Sequence, residues 1–235
     1  DKGEMLRLLS LSNIPCADFR LPSNIDELAE FAKELGYPKK KVVVKPRVSS
    51  GNRGFRILDD SSHTHRDSVL TKPGTGIANL NLREYVKSVS QEDEFPSLVL
   101  MEYLPHEDYS VYCLSDKGST IATVPMIRIK PENGVTHISK VSMENSVISM
   151  AEQVVKYFDL DWNVNVQMRI SDSGQPLVYE INPRLAGSII LTRAAGCNLL
   201  DLGIRKILRK KIEVKTPVDG TIMYRYFTEV FSGDH

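Results

Sequence analysis

The residues best suited to chemistry lie between Val164 and Ala186, in the run VNVQMRISDSGQPLVYEINPRLA. Asp172-Ser173-Gly174-Gln175 is a turn signal between two alternating runs, and a two-residue Ser-Gly loop pairs Asp172 with Gln175. Counting back from that turn sets Gln167 opposite Glu180 and Asn165 opposite Asn182, all on one face because side chains alternate along a strand. The other face carries Val166, Met168 and Ile170 against Ile181, Tyr179 and Leu177. One side therefore packs on a core while the other gathers amide and carboxylate oxygens. A hard cation such as Mg²⁺ takes oxygen ligands, usually one or two from carboxylates, with nucleotide phosphates supplying others. Gln167, Glu180 and Asn182 match that description.

The ordinary alternative is a surface hairpin whose polar side meets water. Three details favour a metal and phosphate instead: amides with a single acid, the strand-ending Pro183, and Arg184 directly after it. A guanidinium fork grips phosphate oxygens in two places at once. Ala186-Gly187-Ser188 adds small residues where a ligand could approach.

The elements that must position this hairpin read as follows. Lys2 to Leu11 has the apolar spacing of a helix, and Ser23 caps a second one in which Leu28, Phe31, Ala32 and Leu35 repeat before Gly36. Lys41 to Pro46 is a short buried strand, so Lys45 sits at its end and points to solvent or to a ligand; spacing alone makes solvent the default. Val48 to Phe55 (VSSGNRGF) is a hairpin loop whose amides could form an anion nest, although a mobile tip has the same composition and neither a Walker pattern nor GxGxxG is present. The segment from Asp59 to Gly76 is a loop or short helix with His63 and His65 solvated, and Leu80 to Val89 is a helix. Strands follow at Ser97 to Glu102, Tyr109 to Leu114, Ser119 to Ile129 and Gly134 to Val141, then an amphipathic helix from Glu144 to Phe158. Beyond the hairpin come a helix over Asn198 to Leu208 and a last strand or strand pair from Gly220 to Phe231.

The chain has 235 residues, enough to bury a core, with 30 basic and 30 acidic side chains. A net charge of zero gives no broad basic surface for nucleic acid, no run is long enough to span a bilayer, and Asp1-Lys2-Gly3-Glu4 is not a signal peptide. Cys16, Cys113 and Cys197 lack disulfide or zinc spacing and read as buried thiols of a soluble, cytoplasmic protein.

Taken in order, Asp1-Lys2, VVVKP, SSGNRG, VLMEYL with Asp108 after it, NVQM and YEINPR resemble the ATP-grasp superfamily, in particular members related to the carbamoyl-phosphate synthetase large chain and to biotin carboxylase. The resemblance implies an α+β fold, the ATP-grasp fold, of two α+β lobes with mainly antiparallel sheets and an ATP cleft between them. It divides the chain into a helical lead-in over 1–40, a small lobe with the phosphate-covering loop over 41–104, and a large lobe with the metal-binding hairpin over 105–235. It also implies an N-terminal α/β domain before Asp1, outside this sequence.

By the same resemblance, Lys2 and Lys45 reach the phosphates of ATP under the Ser49–Gly54 loop, with Ser49, Ser50, Gly51 and Gly54 as contacts. The backbone of Glu102, Tyr103 and Leu104 holds adenine, and Asp108, or Glu107 in its place, holds the ribose. Gln167, Glu180 and Asn182 hold one or two Mg²⁺, with Mn²⁺ as a substitute, and Arg184 steadies the transferred phosphoryl group. Gln167 departs from the many members with Glu at that position and matches the carbamoyl-phosphate type. Arg128, Lys140, His137 and Arg193 are candidates for the acceptor, each with a solvated surface position as its alternative.

The expected activity is a ligase: a carboxylate attacks the γ-phosphate to give an acyl phosphate, which an amine captures. Such transfer depends on positioning and charge stabilisation rather than on a protein nucleophile. ATP and small carboxylate and amine substrates are the expected partners, without nucleic acid or membrane, and a homodimer is compatible with the sequence. A nucleotide-binding regulatory or scaffold module without turnover is the competing class, and a generic α+β domain with a solvated hairpin is a third.

Overall fold

The computed structural model describes residues 1–49, 53–61, 78–132 and 134–231. Ser50, Gly51, His63, His65 and most of the segment expected as a loop from Asp59 to Gly76 lie outside the described residues.

Two sheets form the framework. The first has five strands in the order β1-β5-β2-β3-β4: β1 (Phe19–Arg20), β2 (Val42–Pro46), β3 (Arg56–Leu58), β4 (Ala78–Leu80) and β5 (Leu98–Glu102). All its pairings are antiparallel except β3 with β4. Its outer face carries α2 (Ile25–Glu34) and α3 (Leu82–Val89), which bury Leu28, Ala32, Tyr85 and Val89 against Val42, Val44, Leu58 and Leu100. Alternation along β2 turns Val43 and Lys45 the other way. The α2 cap lies one residue past the expected Ser23: the Asn24 side chain accepts the Glu27 N–H, while the Glu27 carboxylate takes both the Ser23 N–H and its hydroxyl.

The second sheet has six strands in the order β10-β9-β6-β7-β8-β11, all antiparallel. They are β6 (Asp108–Asp116), β7 (Ser119–Glu132), β8 (Val135–Val141), β9 (Trp162–Ile170), β10 (Pro176–Asn182) and β11 (Ile222–Tyr224). One face packs against α4 (Asn145–Tyr157) and the end of α1 (Lys2–Ser10), burying Val111, Val147, Val154, Val166 and Met168. The other face packs its far end against α5 (Ile190–Ala194) and α6 (Leu199–Ile207) through Leu114, Val124, Leu191 and Leu199. Trp162 joins this second cluster, and Gly203 allows the approach, since a Cβ there would lie 2.8 Å from the Trp162 Nε1. The last strand or strand pair, expected from Gly220 to Phe231, is regular over only three residues, Ile222–Tyr224 against Ile138 to Lys140, with single backbone bonds beyond it from the Gly220 N–H to the Val141 carbonyl and from the Arg225 N–H to the His137 carbonyl.

A fourth cluster joins the sheets. Val43, Val99, Met101 and Leu104 from the first meet Leu177 and Tyr179 of β10, with Leu6 of α1 between them. Among the described residues no helix is long and apolar enough to cross a membrane. Cys16, Cys113 and Cys197 are free thiols, the last two buried.

Leu100 is fully buried in the first sheet's core. Leu100→Ala is expected to cost about 2–5 kcal/mol, read as a lower urea midpoint at unchanged m-value.

Candidate functional site

A cavity of about 310 Å³ opens between the sheets, and the hairpin β9–β10 forms its floor. The hairpin is not built as the turn residues suggest. The loop has three residues, Asp172, Ser173 and Gly174, with the Ser171 N–H donating to the Gln175 carbonyl at 2.9 Å and Gly174 at φ +82°. From Pro176↔Ile170 to Val178↔Met168 the pairing is thus one residue out of the expected register. A bulge between Val178 and Glu180 then absorbs one residue, which restores Glu180↔Gln167 and Asn182↔Asn165. Two shifts cancel, so the oxygen donors meet as expected although the path differs. Before the bulge corrects it, the slip at the turn exchanges faces there. Val178 joins the core under α4, whereas Leu177 and Tyr179, expected on that side, face the first sheet.

Gln167, Glu180, Asn182 and Arg184 all line the cavity. Asn182 Oδ1 accepts the Arg184 Nη2 at 3.3 Å. Asn165 is fully buried, donates to the Ser110 hydroxyl at 2.8 Å, and leaves its Oδ1 without a partner among the described residues. The donor set fits Mg²⁺ in kind: three side-chain oxygens on adjacent strands, one of them anionic, leave coordination positions for phosphate. Among the described residues no group of three His, Cys, Asp or Glu is placed to hold a metal, so such an ion would depend on amides.

Lys45 does not take the solvent direction that spacing alone suggests. It is 5% exposed, and its Nζ donates to the Tyr179 carbonyl at 3.3 Å. Burial pushes its pKa down to about 8, while Glu180 pulls it up and Lys2 adds to the depression. Lys2 reaches the same cavity and donates to the Ser49 carbonyl at 2.8 Å and hydroxyl at 3.2 Å, which ties α1 to the loop after β2. Gly54 lies on that loop at φ +72°, where a Cβ would come within 2.6 Å of Pro46, so glycine alone lets the returning chain pass.

Asp108 lines the cavity but is not free. It is 6% exposed; Oδ1 accepts the Tyr179 hydroxyl at 2.8 Å, and Oδ2 accepts Arg128 at 3.2 Å and Arg169 at 3.3 Å. Arg128 also donates to Thr136 at 3.1 Å. Burial opposes the Arg128 charge, but Tyr179 and Asp108 outweigh it, and its proton affinity is raised. Arg169, which the sequence did not single out, donates to the Leu104 carbonyl at 2.8 Å and so fixes the connector after β5. An arginine two residues after Gln167 on the same strand face was the available signal. Glu102, Tyr103 and Leu104 line the cavity; the Glu102 N–H is committed to the Asp18 carbonyl.

Gly54 does not line the cavity, and four further candidates fall elsewhere. Lys140 pairs with Ile127, so alternation turns it away from the face that carries Arg128, and it is exposed beside Gly220. His137 packs edge-on to Phe227 at 5.9 Å, and Arg193 and Glu107 are exposed. None of the four lines the cavity. Among the described residues six basic side chains line it (Lys2, Lys45, Arg53, Arg128, Arg169, Arg184) against three acids (Glu102, Asp108, Glu180), in a chain of zero net charge. Such a cleft draws in polyanions.

A family model described as ATP-grasp in the biosynthetic pathway with Ter operon matches residues 94–230. The carbamoyl phosphate synthase large chain of Clostridium acetobutylicum is 22% identical over 225 residues, which cover 91% of this chain and 19% of that protein. An N5-carboxyaminoimidazole ribonucleotide synthetase solved as its ADP complex superposes with a TM-score of 0.68 at 18% identity, over 95% of this chain and 55% of that one. The biotin carboxylase domain of the 2-oxoglutarate carboxylase of Hydrogenobacter thermophilus, solved as a dimer with MgADP and bicarbonate, gives 0.68 at 16%, over 94% and 49%. The chain thus spans about a fifth of the first relative's length and about half of each solved chain.

The buried Lys45 has a pH signature without any ligand. Its folded pKa of about 8 lies below the ordinary 10.5, so the unfolded chain binds more protons between those values, and stability from this group rises with pH across that window. Lys45→Met is expected to be about 1–3 kcal/mol more stable than the parent at pH 7, with the gap closing towards pH 10.5, in urea titrations at several pH values.

Proposed function

Since this chain belongs to the ATP-grasp family, we propose that it uses ATP and Mg²⁺ to activate a carboxylate as an acyl phosphate for capture by an amine. The observation that carries this reading is the meeting, in one net-basic cleft, of a buried lysine, three oxygen donors with a single charge, and Arg184. Likeness to a carbamoyl phosphate synthase large chain, and to a synthetase and a carboxylase domain solved with ADP, supports the same class.

In this reading Lys45 and Lys2 take the nucleotide phosphates, and the loop from Ser49 to Gly54 covers them with its amides. Glu102, Tyr103 and Leu104 line the adenine end. Asp108 has both oxygens engaged, so a ribose contact there exchanges for one of its present donors. Gln167, Glu180 and Asn182 would hold Mg²⁺, whose charge offsets the repulsion between phosphate and carboxylate. The carboxylate oxygen attacks the γ-phosphorus and ADP departs; the amine then attacks the acyl carbon, and phosphate leaves as the nitrogen loses a proton. Arg184 and Arg128 offset charge on the transferred group and on the acid, and no protein nucleophile takes part. Lys140, outside the cavity, has no part in this scheme.

A regulatory or scaffold module that binds nucleotide without turnover is the second reading. The engaged Asp108 and the single carboxylate among the metal donors favour it.

Mg-ATP at a hundred times its dissociation constant should stabilise the protein by about 2.7 kcal/mol, and ADP should be released only with a matching acid and amine from a substrate panel. Lys45→Met, Glu180→Gln and Arg184→Ala are each expected to lower kcat/KM by about 100-fold or more. Turnover that survives all three changes sinks the ligase reading. Tight Mg-ATP binding with no turnover across the panel favours the second, and no stabilisation by Mg-ATP removes both.

A further inference from the structure

Strand alternation brings Lys45 to the cleft, but it does not hold a flexible four-carbon side chain there. Among the described residues its ammonium makes one hydrogen bond, to the Tyr179 carbonyl. It also lies over the Tyr179 ring, 5.4 Å from the centroid, inside the range of about 6 Å in which a ring face attracts a cation. Of the charged groups facing it, Glu180 favours the ammonium and Lys2 opposes it.

Tyr179 is itself fixed. Its hydroxyl donates to Asp108, and Asp108 is gripped by Arg128 and Arg169, the latter donating on to the Leu104 carbonyl. A line of contacts therefore runs from β2 through β10, β6 and β9 to the connector after β5, with Tyr179 the only member that touches both Lys45 and Asp108. Val178 packs on the α4 side, so alternation turns the Tyr179 ring to the cleft, and the bulge lets Glu180 share that face with it.

We propose that Tyr179 is a positioning residue for Lys45: its ring and carbonyl seat the ammonium, and the packing of the ring between the two sheets keeps it there. This deepens the nucleotide-binding reading and rests on it for the affinity arm of the test only. A ring that merely filled the gap between the sheets would affect stability without acting through Lys45, and the two roles separate experimentally.

In ligand-free protein labelled with ¹³C-lysine, the ring should displace the Lys45 ε-methylene resonance upfield of the exposed lysines. Tyr179→Phe should keep that displacement and Tyr179→Leu should abolish it. Mg-ATP affinity should change less than about twofold in Tyr179→Phe and weaken about tenfold in Tyr179→Leu, the size expected for a desolvated ring–cation contact. In a Lys45→Met background, Tyr179→Leu should weaken Mg-ATP no further, since the effect passes through the missing ammonium. An equal loss in both backgrounds, or a Lys45 resonance that does not move in Tyr179→Leu, overturns the proposal. Should Tyr179→Leu fail to fold, Tyr179→Met supplies the ringless side chain. If the parent protein binds no Mg-ATP, the nucleotide reading falls and the resonance alone decides the role of Tyr179.

Discussion

The cleft depends on one inserted residue. Side chains repeat every second position along a strand, so a slip of one place inverts every face beyond it. The three-residue turn at Asp172 to Gly174 makes such a slip, and the bulge at Tyr179 reverses it before Glu180. Val178 can then be core while Glu180, two residues on, faces the cavity beside Gln167. The bulge thus sets two neighbours on one face: Val178 and Ile181 pack under α4, and between them Tyr179 and Glu180 both face the cleft.

Much of this was legible in the chain, for reasons that differ by element. α4 and α6 show the helical repeat of buried residues, and β6, β7 and β9 alternate or run apolar, so their existence followed from periodicity. The ordered motifs gave the family and its fold, because their sequence of occurrence is specific where each alone is common. β1 and β4, of two and three residues, were not legible, since so few positions carry no period and tertiary pairing alone makes them strands. The hairpin register came out right at Gln167 and Glu180 through two compensating errors, which no count from a turn could separate.

At the site, residue type was readable and engagement was not. Asp108 stands where a ribose contact was expected, yet Arg128 and Arg169 come from strands on either side of β6 and claim it. Lys140 shows the converse: its place in the chain suggested the acceptor, but parity along β8 decides its face, and Ser139 rather than Lys140 lies opposite Arg128. The direction of Lys45 required knowing that β5 lies beside β2 and that β10 closes over both. A neutral composition likewise hid a cleft in which, among the described residues, basic groups outnumber acidic ones two to one.

The packing of Trp162 against α6 has a spectroscopic corollary. It is the only tryptophan of the chain, and it belongs to the six-stranded sheet. Its emission therefore watches one half of the molecule, while the five-stranded sheet, whose core contains Tyr85, is silent at that wavelength. A fluorescence melt that coincides with the loss of backbone dichroism would mark the halves as one cooperative unit; a melt at a different temperature would reveal two.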